Sequence, residues 1–235
     1  WWIGMDLWDG CAREIAPTPD WVASRLAGQR CWAGLDLSSK LDLTAWTLLF
    51  GDGSVLWRFW VPESMVEPLS EHTGGRFEEW ARDGWVTATE GDTIDYDRIY
   101  ADIEADHQRY RIVDITYDKW SGEPVRQEIT KRTRLAMVES DTTYLRMTPP
   151  MAELMRRLKA GEIAHFGNPV ARWMADAVER KSPRDDPDRM RPVKPDRDKS
   201  GKRIDGIVSL LFALDGAMRG APPVSIYETR GLSAL

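Results

Sequence analysis

At 235 residues, with 38 acidic against 32 basic side chains and a net charge of −6, the chain is long enough for one large domain. It is too acidic overall to be a dedicated, tightly binding nucleic-acid module. Cys11 and Cys31 are too few and too far apart for a zinc site or a disulfide framework, which leaves reduced thiols in a cytosolic protein as the default. No apolar stretch approaches the length of a membrane span.

The opening Trp1-Trp2-Ile3-Gly4 has no initiator Met and no basic-then-apolar signal pattern, so it reads as a cut inside a longer protein. Residues 1–29 form an irregular, Trp-rich lead, where Pro17, Pro19 and an Asp20 cap start a short helix near 20–26. Residues 30–62 read as a three-stranded meander whose second turn is Gly51-Asp52-Gly53. Residues 63–110 carry helices, a small hairpin around 85–93 and a helix near 96–108. Beyond them strand and helix alternate: strand 111–118, helix 122–132, strand 135–139, helices 149–160 and 168–178, a charged loop, and helix 199–218. A meander followed by such alternation predicts a mixed α/β sheet with helices on its faces. The tail after Pro222-Pro223 reads as frayed, a linker or a docking peptide.

Three acids stand out. Asp36 interrupts the apolar run Ala33, Leu35, Leu37, where an ionised carboxylate is costly unless a cation or donors compensate it. It reads equally as a metal ligand or as a cap on the turn Ser38-Ser39-Lys40. Asp118 ends the β-branched and aromatic run Ile112, Val113, Ile115, Tyr117. Asp205 opens a helix whose Ile204, Ile207, Val208, Leu211 and Phe212 share one face. Three acids, each on its own apolar element, suit a hard cation such as Mg²⁺ or Mn²⁺, which takes oxygen ligands. Asp42 either caps the hairpin or helps hold a second ion through water. Asp114, an even number of positions before Asp118, shares its sheet face and either touches the site or sits solvated at the sheet edge.

From Arg180 to Arg203 basic side chains outnumber acidic ones two to one. The run is either a solvated loop or a basic flap that holds a phosphate backbone beside the acids, with Arg197, Lys199, Lys202 and Arg203 as its contacts. His72, His107 and His165 lack ligand spacing, Ser38 and Ser39 read as turn residues, and no phosphate-binding glycine loop occurs. Trp46, Trp57, Trp60 and Trp173 sit in apolar patterns and read as core.

Taken in order, GLDLSSKLDLTAWTLLF, ITYDKW, HFGNPVARWM and KPDRDKSGKRIDGIVSLLFALDGA resemble the C-terminal nuclease domain of the large terminase subunit of tailed phages and prophages. The resemblance runs from about Trp21 to Arg219; one departure is Ala177-Val178, where the family usually has an Asn-Val pair. It implies a ribonuclease H-like fold and metal-dependent cutting of concatemeric viral DNA during genome packaging. The family's metal-binding acids fall by motif on Asp36, Asp118 and Asp205, which would hold two Mg²⁺ or Mn²⁺ ions. Residues 1–29 would then be a lead from a missing N-terminal ATPase domain, 30–220 the nuclease domain and 221–235 a flexible tail. The implied partners are double-stranded DNA, the ATPase domain of the same polypeptide, the portal and the small terminase subunit, with no membrane, in the cytoplasm of the infected bacterial host. A structure-specific resolvase of the same fold and a non-catalytic docking module for the packaging motor are the alternatives.

Overall fold

The computed structural model describes residues 2–37, 43–119, 123–195 and 201–220. Strands β1 (Arg30–Asp36), β2 (Thr44–Phe50) and β3 (Val55–Pro62) form the expected antiparallel meander, with Cys31 opposite Phe50, Asp36 opposite Ala45, and Thr44 opposite Trp60. β5 (Arg111–Asp118) lies parallel beside β1, β6 (Ala136–Ser140) parallel beside β5, and β4 (Thr87–Thr89) parallel beside β3. The sheet order is β4-β3-β2-β1-β5-β6. Side chains alternate between two cores: Trp46, Leu48 and Phe50 of β2 enter one, Ala45 and Leu49 the other. Both faces are covered, which is why β2 is apolar almost throughout.

Helices α2 (Pro19–Arg25), α5 (Tyr96–Arg109) and α6 (Glu123–Thr133) cover one face through Val22, Ile99, Ile103 and Ile129. The other face receives α1 (Met5–Gly10), α3 (Val66–Thr73), α4 (Arg76–Arg82), α7 (Tyr144–Lys159), α8 (Pro169–Ala177) and α9 (Asp205–Arg219). Residues 2–29 are part of this packing. Ile3, Trp8 and Cys11 lie in the α9-side core, Trp8 with no exposed surface, and Arg172 of α8 grips Asp9 with two bonds of 2.7 and 2.8 Å. Trp46, Trp57 and Trp60 are core as expected, and Trp173 packs half-buried against Phe77 and Trp80. No helix among the described residues is long and apolar enough to cross a membrane.

Local chemistry moves several boundaries from their expected places. Thr18, not Asp20, caps α2, its hydroxyl accepting from the Trp21 N–H at 3.3 Å. The hairpin expected at 85–93 is the single strand β4, because the chain after Gly91 turns into α5, where Asp95 takes up the N–H groups of Asp97 and Arg98. α7 starts at Tyr144 rather than 149 and holds Pro149 and Pro150 inside it. The carbonyls that lose their donors belong to exposed Leu145 and Arg146, which water reaches. α9 starts at Asp205 rather than 199, after Gly201 adopts a left-handed φ of 61°. The charged loop contains a small antiparallel pair, β7 (Glu179–Lys181) and β8 (Arg191–Val193).

Candidate metal centre

Strand pairing places the first two expected ligands. In the parallel β1–β5 ladder Leu35 is level with Tyr117, so the next positions, Asp36 and Asp118, are neighbours at the C-terminal ends of adjacent strands. Asp36 is thus the last residue of its strand, not a mid-strand interruption. Two residues earlier, Gly34 and Thr116 face α9, and the period of two puts both carboxylates on that same face. Both are partly exposed.

The third acid arrives from above. α9 lies so close to β1 that a Cβ on Gly34 would stand 1.9 Å from the Ser209 carbonyl oxygen and 2.6 Å from the Ala213 nitrogen. The Thr47 and Ser209 hydroxyls bond at 2.6 Å, and the Trp57 indole N–H donates to the Gly206 carbonyl at 2.9 Å. Asp205 is the first residue of α9 and is buried, at 7% exposure. A carboxylate in a first helical turn meets the positive end of the helix dipole. Among the described residues no group of three or more His, Cys, Asp or Glu side chains is placed to hold a metal ion. The donor chemistry nevertheless fits a hard divalent cation: carboxylate oxygens on two adjacent strand ends, with a third on the first residue of the helix packed on the same sheet face.

Asp42, Arg197 and Lys199 lie outside the described residues. Lys202 and Arg203 are half-buried in the segment leading into α9, where the Arg203 guanidinium donates to the carbonyls of Gly201 at 3.0 Å and Lys202 at 3.3 Å.

Asp114 is not a solvated edge residue. It is 3% exposed beneath the C-terminal end of α9, where Arg219 reaches its carboxylate at 3.4 Å and the Thr116 hydroxyl at 2.8 Å and also pairs with Asp215. Burial pushes the Asp114 carboxyl above the ordinary range, against the pull of Arg219. Lys119, next to Asp118, bonds Asp141 at 3.1 Å. The Asp141 carboxyl is drawn down to about 2, first by the Thr143 hydroxyl, and also by the Thr143 N–H and Lys119.

The other face holds a network that sequence reasoning did not single out. Asp106, 1% exposed, takes two bonds from Arg58 at 2.6 and 2.7 Å and one from the Trp46 indole at 3.1 Å. Its signal was available: Asp106 continues the stripe Ile99, Ile103 on the buried side of α5.

The family described as "Terminase large subunit, endonuclease domain" matches residues 1–220. Protein YmfN of Escherichia coli (strain K12) is 30% identical over 229 residues, covering 92% of this chain and 48% of that protein. The large terminase subunit of Enterobacteria phage HK97 is 26% identical over 221 residues, covering 92% of this chain and 41% of its own length. The chain therefore spans less than half of either relative. In structure, the HK97 bacteriophage large terminase superposes with a TM-score of 0.76 at 24% identity, over 92% of this chain and 43% of that one. The large terminase nuclease of thermophilic phage G20c with bound magnesium gives 0.52 at 10% identity, over 88% and 95%. The mixed sheet flanked by helices is thus the ribonuclease H-like fold of terminase nucleases, and the chain belongs to the terminase large subunit endonuclease-domain family.

Proposed function

We propose that this chain is a metal-dependent DNA endonuclease that cuts concatemeric viral DNA during genome packaging, in the cytoplasm of the infected bacterial host. The observation that carries the reading is the pairing of Asp36 and Asp118 on adjacent strand ends, on the sheet face that also carries the helix beginning with Asp205. Membership of the terminase nuclease family supports it, as does the bound magnesium or cobalt in the G20c nuclease structures. Asp36, on an interior strand, is the ligand that would bridge two ions, with Asp118 holding one and Asp205 the other. Two Mg²⁺ or Mn²⁺ ions held there would supply an activated water and neutralise charge on the scissile phosphate and the leaving oxygen. Arg197, Lys199, Lys202 and Arg203 steady the phosphate backbone. Backbone contacts carry no sequence information, so cutting is nearly sequence-independent. The ATPase domain of the same polypeptide, the portal and the small terminase subunit complete the machine.

The docking-module alternative draws on the Trp-rich lead and the tail as contact surfaces; Trp8 of that lead is buried in the core and so is withheld from any such surface. Purified protein with Mn²⁺ or Mg²⁺ nicks and linearises plasmid DNA and stops when the ions are chelated. Asp36→Asn abolishes cutting without unfolding the chain, since Asp36 is partly exposed and removing one of two neighbouring like charges, Asp36 and Asp118, relieves repulsion. A variant that cuts like the parent at matched metal concentration overturns the assignment of Asp36.

A further inference from the structure

Gly206, the residue that follows Asp205, is held at both its backbone N–H and its carbonyl. The Gly206 N–H donates to the Met174 sulfur at 3.0 Å, and the Gly206 carbonyl accepts from the Trp57 indole N–H at 2.9 Å and the Ser209 hydroxyl at 3.2 Å. The first N–H groups of a helix have no acceptor within it, and an oxygen side chain at the N-cap usually serves them. Here the N-cap is Ile204, which makes no side-chain bond, and a thioether, a weak acceptor, serves in its place. Position 206 is also a socket with no room: a Cβ there would lie 2.8 Å from the Met174 sulfur and 2.8 Å from the Phe59 ring. Met174 is fully buried and Trp57 is 3% exposed.

These contacts refer the head of α9 to the sheet that carries Asp36. Trp57 is cross-strand partner to Thr47, and Thr47 to Gly34, two residues before Asp36. Thr47 in turn bonds Ser209, which bonds back to the Gly206 carbonyl. The backbone beside Asp205 is thereby held in register with the strand ends.

We propose that Trp57 and Met174 are positioning residues for Asp205, fixing its backbone so that its carboxylate is presented to a divalent ion. The inference rests on Asp205 being a metal ligand. Partners that orient a ligand commonly govern metal affinity as strongly as they govern rate.

The test is Mn²⁺ binding by calorimetry, with plasmid cleavage alongside, for the parent, Asp205→Asn, Trp57→Phe, Met174→Leu and Trp60→Phe. Trp60 is the control, because its indole donates at 2.8 Å to Asp102 on the opposite side of the sheet, away from α9. Trp57→Phe and Met174→Leu each weaken Mn²⁺ about tenfold and lower kcat at fixed metal, with KM for DNA unchanged. Trp60→Phe leaves Mn²⁺ affinity as in the parent. If Asp205→Asn weakens Mn²⁺ while Trp57→Phe and Met174→Leu bind it as the parent does, positioning is overturned and the ligand assignment stands. If Trp60→Phe weakens Mn²⁺ equally, the effect is general destabilisation and positioning is again overturned. If Asp205→Asn binds Mn²⁺ as the parent does, the ligand assignment itself fails.

Discussion

Adding one methyl group at Gly34 tests how the sheet holds α9. The Cβ of Gly34→Ala would stand 1.9 Å from the Ser209 carbonyl oxygen and 2.6 Å from the Ala213 nitrogen. Both are helix backbone, so no side chain can swing aside. Ordinary contact begins near 3.4 Å, so α9 must retreat by about 1.5 Å along that line. Overpacking of this kind costs about 1–3 kcal/mol. The retreat also breaks the 2.6 Å bond between the Thr47 and Ser209 hydroxyls, worth roughly 1 kcal/mol more. The expected loss is about 2–4 kcal/mol, or a fall of about 1–2 M in the urea midpoint at a slope near 2 kcal/mol/M. Gly10→Ala, on the last residue of α1 with nothing within 4 Å of a new Cβ, is the control and keeps or slightly raises the midpoint. Equal midpoints for the two variants would refute the reasoning. The same retreat carries Asp205 away from Asp36, so Gly34→Ala also loses metal-dependent cutting at temperatures where it is still folded.

Asp106→Ala leaves the Arg58 guanidinium and the Trp46 indole without their buried acceptor, at a cost of about 3 kcal/mol in urea unfolding; Arg58→Met combined with Asp106→Leu recovers most of it. A single-variant loss below about 1 kcal/mol would mean that water replaces the carboxylate. His165 is buried and neutral, its Nε2–H donating to the Trp8 carbonyl at 2.7 Å and its Nδ1 accepting from the Gly167 N–H at 3.1 Å. Burial lowers its pKa, so the unfolded chain binds the extra proton first; this stability is present above the unfolded value, near 6.5, and is lost as pH falls through the folded value. His165→Gln flattens stability between pH 7 and 5, by at most about 1.4 kcal/mol per pH unit, and a parent with no slope there contradicts the assignment. Neutralising Arg197, Lys199, Lys202 and Arg203 together weakens DNA binding for all sequences alike and lowers the slope of log K against log salt by about one per lost phosphate contact. An unchanged slope would make the stretch a solvated loop.

Asp118 was legible at its strand tip because it ends an apolar run, whereas Asp36 stood out as an interruption of one, and only the pairing of β1 with β2 and β5 shows that the strand stops at it. Asp205 was legible from the apolar stripe behind it. The rest depended on contacts distant in sequence. Asp114 is buried beneath the end of α9, where Gly216 and Arg219, more than a hundred residues later, lie against its carboxylate. The early start of α7 defies local rules, since two prolines normally mark a helix start. β4 exists only as a partner of β3, and its three residues carry no alternation of their own.

The grip of Arg172 on Asp9 has a mechanical consequence. Two residues further along α8, the Met174 sulfur meets the peptide that follows Asp205. α1, α8 and the head of α9 thus form a short linkage, which runs beside the direct packing of Trp8 on Trp57 of β3, ring centroids 6.4 Å apart. A double-mutant cycle pairing Arg172→Ala with Met174→Leu, read out as Mn²⁺ affinity, measures how stiff that linkage is. Strictly additive losses would mean that the two joints carry load independently. Coupled losses would mean that tension on the first helix of the chain adjusts the acid at the head of its last described one.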